Sequence, residues 1–225
     1  EQVRNSIGYT GLNVKIGASH GGISVGEDGA THQCLEDFAL MRSIPGMVVM
    51  SPADAVEAKA MVKAAYEHQG PVYMRFGRSP VPVFHDEDNF HFTIGRGEVM
   101  REGTDIAIIA NGLLVAEAVE AGKLLADRGI SARIVNMATI KPLDEEIVLK
   151  AAAECGRIVT CEEHSIIGGL GEAVCSLLSE KRPTPVRRVG TPDVFGHSGP
   201  AAALLEQFGL CAAHIAQVAE EFSKG

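Results

Sequence analysis

Short β-branched runs alternate along this chain with longer stretches in which apolar residues recur every three or four positions. That rhythm specifies βαβ units, and so an α/β fold with a parallel sheet covered by helices. Strands are expected at 14–18, 47–50, 72–76, 105–110, 132–136, 157–161 and 186–189, with a hairpin over 92–100. Helices are expected at 34–43, 53–68, 113–127, 144–154 and 171–181, followed by two more. Pro52 and Asp54 suit the start of the second helix, and Arg128-Gly129 the end of the third. Between 79 and 89, Pro80, Pro82 and the acidic cluster Asp86-Glu-Asp88 read as a linker dividing the chain into 1–88 and 89–225. About three strands are few for an independent parallel sheet, so the first unit reads as lacking its N-terminal part.

Hydrophobic residues make up 46% of the 225 and charged ones 22%, the balance of an ordinary globular chain. A net charge of −9 argues against nucleic acid or an anionic membrane as the main partner. No run approaches the roughly 18 apolar residues of a membrane helix. The five cysteines are scattered without a Cys-x-x-Cys pair, so thiols in a reducing cytoplasm are expected.

The richest chemistry lies between the first strand and the first long helix. His20-Gly-Gly-Ile-Ser-Val-Gly-Glu-Asp-Gly-Ala-Thr-His-Gln33 holds two histidines and two adjacent carboxylates on a glycine-rich loop, where α/β proteins place their sites. Gly22-Ile-Ser-Val-Gly26 has the spacing of a nucleophile elbow, but Ser24 sits five residues beyond the strand and the helix starts late. A metal site from His20, Glu27, Asp28 and His32 has suitable donors without a helical i, i+4 pair. Acid–base chemistry by the histidines remains open. So does a plain reading, in which Thr31 caps the helix and the acidic pair favours its N-terminus.

The chain resembles transketolases through nearly its whole length. The first unit carries Glu1-Gln-Val-Arg-Asn5, Ala18-Ser-His20, Gly26-Glu-Asp-Gly-Ala-Thr-His-Gln33, Ile44-Pro-Gly-Met-Val-Val49, Ser51-Pro-Ala-Asp54 and Gly77-Arg78. The second carries Ile140-Lys-Pro-Leu-Asp144, Glu162-Glu-His-Ser-Ile-Ile-Gly-Gly-Leu-Gly171 and Phe195-Gly-His-Ser-Gly-Pro200. The wording is most similar to the C-terminal subunit of split transketolases, with 1-deoxy-xylulose-5-phosphate synthase as a more distant relative. The resemblance implies a pyrimidine-binding parallel-sheet domain followed by a transketolase C-terminal α/β domain. It implies transfer of a two-carbon ketol unit between phosphosugars in the pentose phosphate pathway, with thiamine diphosphate and Mg²⁺ as cofactors. His20 is implied to line the substrate channel, Asp28 to contact the donor's C2 hydroxyl, His32 to sit beside the reacting carbonyl, and Arg78 to grip the terminal phosphate. Arg75, inside the third strand, is expected to be structural.

Two departures qualify the resemblance. The Gly-Asp-Gly of the family's diphosphate and metal site does not occur in the sequence, so that half is expected on an N-terminal partner subunit. The family's catalytic glutamate and cofactor-stacking aromatics would lie upstream of Glu1. The chain alone is therefore expected to be inactive and to lean on a homodimer mate; the alternatives are a 1-deoxy-xylulose-5-phosphate synthase-like enzyme and a non-catalytic dimerising module. In the second unit, Gly168-Gly-Leu-Gly171 imitates a nucleotide loop, but Glu162, Glu163 and Glu172 would repel a pyrophosphate. A tight turn with helix capping is favoured there, and His164 reads as a possible subunit contact. Ser198 and Pro200 are expected to open a helix.

Overall fold

The computed structural model describes residues 1–224. A π-helical segment Val3–Tyr9 leads to β1 (Lys15–Ala18), a 3-10 segment Ile23–Asp28, α1 (Asp37–Arg42), β2 (Val48–Met50), α2 (Ala55–Glu67) and β3 (Val72–Arg75). Next come β4 (Glu98–Arg101), β5 (Ile106–Ala110), α3 (Leu114–Asp127), β6 (Ala132–Asn136), β7 (Thr139–Lys141) and α4 (Glu145–Cys155). The chain continues through β8 (Ile158–Ser165), α5 (Leu170–Lys181), β9 (Val186–Thr191), α6 (Ala201–Gln207) and α7 (Ala212–Lys224).

These strands form two sheets, in the orders β1-β3-β2-β7 and β4-β6-β5-β8-β9. Pairing is parallel throughout except for β7 on β2 and β4 on β6. β5 shows why a continuous apolar run becomes a central parallel strand. Ile106, Ile108 and Ala110 pack with α3 and α7, while Ala107 and Ile109 pack with α4 and α5. Both faces are covered, so polar alternation has no place. The first sheet is likewise two-sided, with Val48, Met50, Val72 and Met74 on one face and Val49 and Tyr73 on the other.

Two expectations about strands are corrected. There is no hairpin over 92–100: only Glu98–Arg101 is extended, and its partner is β6. The first sheet also has a fourth strand, since β7 from the second half of the chain lies antiparallel on β2. The stretch Ala201–Lys224 is apolar enough, by length and composition alone, to cross a membrane. It is folded as α6 and α7, with Gly209 between them, and α7 buries Ile215, Ala216 and Ala219 in the second core.

Helix starts follow the expected chemistry in two places. The Asp54 carboxylate accepts from Glu57 N–H and that of Asp144 from Ile147 N–H, each occupying an otherwise orphaned donor. The start of α6 differs, because Pro200 rather than Ser198 is the capping residue and no side chain caps it.

The linker is tied down by His85. Its Nδ1 lies 2.9 Å from Asp54 Oδ2 and its Nε2 2.9 Å from Glu98 Oε2, and its ring packs on Phe90 with centroids 4.0 Å apart. Two carboxylates facing both ring nitrogens favour the imidazolium. Burial opposes the charge, but the hydrogen bonds to Asp54 and Glu98 outweigh it and hold the pKa above the ordinary 6.5. The sign follows from the raised folded value: the stability His85 contributes is complete below pH 6.5 and is lost as pH rises through the folded pKa. The difference in unfolding free energy between the protein and its His85→Gln variant should therefore shrink with rising pH. Urea titrations at several pH values check this, and a pH-independent difference would refute it.

Candidate substrate site

β1 ends at Ala18, and the chain turns sharply through His20, whose φ of 64° lies in the left-handed region that non-glycine residues seldom occupy. Such strain is found where a side chain must be aimed at a ligand. Gly22 N–H then donates to Cys34 O at 2.8 Å, closing the loop at its base. The adjacent glycines answer a crowding demand. A Cβ on Gly21 would lie 2.1 Å from Arg75 Nε, and one on Gly22 would lie 2.2 Å from the carboxyl carbon of Glu163.

Inside this loop the structure brings His20, Asp28 and His32 to one cavity of about 300 Å³, together with Val25, Cys34 and Tyr73. His20 Nδ1 lies 2.9 Å from Ser19 Oγ, and His32 Nδ1 lies 3.0 Å from Thr31 Oγ1. Each ring is engaged through Nδ1 by a neighbouring hydroxyl, with no protein hydrogen bond at Nε2 among the described residues. Glu27 turns away, its carboxylate 3.6 Å from Arg78 Nη1. Arg78 is 43% exposed at its side chain and stands outside the lining of that cavity.

The competing readings of the loop fall on geometry. Ser24 is fully buried, with its Oγ unpartnered and its N–H donated to Glu163 Oε1 at 2.7 Å, so it is no exposed nucleophile. Among the described residues no group of three or more His, Cys, Asp or Glu side chains could hold a metal. Thr31 is not a helix cap, because α1 begins only at Asp37 with Glu36 before it.

Behind the cavity the two sheets meet through buried charge. Arg75, 4% exposed, donates through Nη2 to Glu163 O at 2.7 Å, and its Nε lies 3.5 Å from Asp37 Oδ2. Asp37 also accepts from Tyr73 Oη at 2.7 Å. The guanidinium stacks 4.6 Å above the Phe38 ring, whose neighbour is His164 at 5.1 Å. Arg75 is thus structural, as its place inside a strand suggested. Burial pushes the Glu163 carboxyl and the Tyr73 phenol up, and the Arg75 charge opposes both shifts.

His164 is not free for another subunit. Fully buried, it holds Ser165 O at 2.6 Å through Nδ1 and receives Ala39 N–H at 3.4 Å on Nε2, the arrangement of a neutral ring. Burial lowers its pKa accordingly. Glu162 explains the glycine-rich turn beside it. Its carboxylate accepts from Leu170 N–H at 2.7 Å and Gly171 N–H at 2.8 Å, filling the α5 N-terminus where a phosphate would have to sit. Burial pushes the Glu162 carboxyl up to about 7, against the pull of those two donors.

Sequence reasoning missed Tyr73, Gln33 and Glu163 as site-forming residues. Only the second carboxylate of Glu162-Glu163 carries a signal: the sequence suggests repulsion toward a ligand, whereas in the fold Glu163 braces the loop through Ser24 N–H.

Comparison with known proteins gives the family. Residues 1–83 match the transketolase pyrimidine-binding domain, and residues 95–215 the transketolase C-terminal domain. A putative transketolase C-terminal section of Methanocaldococcus jannaschii is 47% identical over 227 residues, covering 100% of this chain and 71% of that protein. A 6-deoxy-6-sulfo-D-fructose transketolase subunit of a Clostridium species is 45% identical over 224 residues, covering 100% of this chain and 69% of the relative. A solved split-gene transketolase, described as an inactive β4 tetramer, superposes with a TM-score of 0.92 at 50% identity, over 98% of this chain and 70% of that one. The chain belongs to the transketolase family and carries its pyrimidine-binding and C-terminal domains.

Proposed function

We propose that this chain is the C-terminal subunit of a two-chain, thiamine-diphosphate-dependent transketolase that moves a two-carbon ketol unit between sugars, phosphosugars among them. The observation that carries the reading is the convergence of His20, Asp28 and His32 on one cavity beyond the carboxyl end of β1, the end at which open α/β sheets bind ligands. Two imidazoles and a carboxylate around a space of about 300 Å³ suit a polyhydroxylated chain. Asp28 accepts a hydrogen bond from a donor hydroxyl. His32 and His20 present Nε2 to hydroxyl and carbonyl oxygens and exchange protons with them. Arg78, now facing Glu27, supplies a bidentate cation for a terminal phosphate.

The sequence holds no Gly-Asp-Gly, and no metal-holding group of three or more His, Cys, Asp or Glu side chains occurs among the described residues. We assign the metal and the diphosphate to an N-terminal partner subunit. Mixing the full-length protein with that subunit, thiamine diphosphate and Mg²⁺ should give ketol transfer from xylulose 5-phosphate, while either subunit alone gives none. Sulfofructose as an alternative donor separates a phosphosugar enzyme from one specific for another sugar. No transfer from any ketose would reject the reading.

A further inference from the structure

The loop bearing His20, Asp28 and His32 is seated on the second domain, and its attachment runs through Gln33. We propose that Gln33 is a positioning residue, clamping the loop to the segment Phe195–Pro200 so that the C-terminal domain sets the aim of His32. This rests on the sugar-site reading above.

The Gln33 side chain is 7% exposed. Its Nε2 lies 3.0 Å from His197 O, 3.2 Å from Ile23 O and 3.4 Å from Gly26 O. All three neighbours are acceptors, so the amide must present its two N–H groups to them. One side chain therefore ties both ends of the turn Ile23–Gly26 to a carbonyl of the other domain. It is also joined by a single peptide bond to His32.

The opposing surface is cut to fit. A Cβ on Gly196 would lie 2.0 Å from Gln33 Oε1, and one on Gly29 would lie 2.4 Å from Ser198 Oγ. A Cβ on Gly26 would meet Gly199 O at 3.2 Å. Backbone thus meets side chain where Gly196 faces Gln33 and Gly29 faces Ser198, and backbone meets backbone where Gly26 faces Gly199, while Ile23 is buried in the same core as Leu204 of α6. Glu163 holds the middle of the turn from behind through Ser24 N–H. The imidazoles hydrogen-bond to Ser19 and Thr31 rather than to these groups, so the clamp acts on them through the loop backbone, in which His32 N–H donates to Gly29 O at 3.0 Å. Displacing a reacting group by about 1 Å can cost roughly a hundredfold in rate.

Gln33→Glu replaces the two donors with an acceptor facing three carbonyls, and Gly196→Ala presses on the same amide from the other domain. Both are made in the full-length protein assembled with its partner subunit, thiamine diphosphate and Mg²⁺. In each, hydrogen exchange over residues 20–33 should rise at least tenfold while exchange in β5 stays as in the wild type. Turnover of xylulose 5-phosphate should fall about 10- to 100-fold in kcat. Gln33→Asn, which keeps the amide but shortens its reach, carries the same expectation should the glutamate variant not fold. Unchanged loop exchange in the folded variants would overturn the proposal, as would loss of protection spread equally into β5. Absence of turnover in the wild-type assembly would strike the sugar-site reading alone, because the exchange measurement still decides the clamp.

Discussion

Replacing Arg75 with methionine is expected to destabilise the protein by about 3–5 kcal/mol, the usual cost of removing one partner from a buried charge network. Methionine fills much of the volume, so the loss isolates charge and hydrogen bonding from cavity formation. Asp37 and Glu163 would remain buried at 4% and 6% exposure with no cation beside them. Arg75→Lys should rescue only part of the loss. A single ammonium cannot reproduce the Nη2 bond to Glu163 O, the approach of Nε to Asp37 and the planar stacking over Phe38 together. Urea unfolding would show a lower midpoint at unchanged slope. A shift worth less than about 1 kcal/mol would mean the network contributes no more than an exposed ion pair.

His32→Ala should leave stability almost untouched and remove about 10²- to 10⁴-fold from kcat/KM of the assembled enzyme, the range of general acid–base contributions. His32 is exposed, with one neighbouring hydroxyl as its partner, so little packing is lost with it. His20→Ala tests whether the two rings are interchangeable. If His32 carries the proton, its removal should lower kcat far more than that of His20. A loss below tenfold for His32→Ala would remove it from the chemistry.

The central strands of the second sheet, β5, β6 and β8, were legible because they are buried on both faces, and a run such as Ile106–Ala110 offers no other reading of similar length. β7 was not legible. Three residues ending just before Pro142 carry almost no pattern, and their partner strand lies some ninety positions earlier in the chain. The false hairpin arose from Gly95 and Gly97, which look like a turn between two strands, whereas β4 finds its partner in β6. At the site, the histidines and Asp28 could be read because they crowd into fourteen residues of glycine-rich text. Gln33 and Glu163 could not, because their meaning lies in contacts spanning 164 and 139 positions.

The antiparallel seating of β7 on β2 makes the chain unlike beads on a string. A protease that nicked the exposed, proline-rich stretch between 79 and 89 would leave two pieces still threaded through a shared sheet. Those pieces resemble the halves of a split reporter more than two released domains. Cutting the covalent chain and separating the folded halves are distinct events here. An engineer wishing to swap one half for that of a relative would have to carry Thr139–Lys141 along with the first sheet, across the apparent boundary in the text.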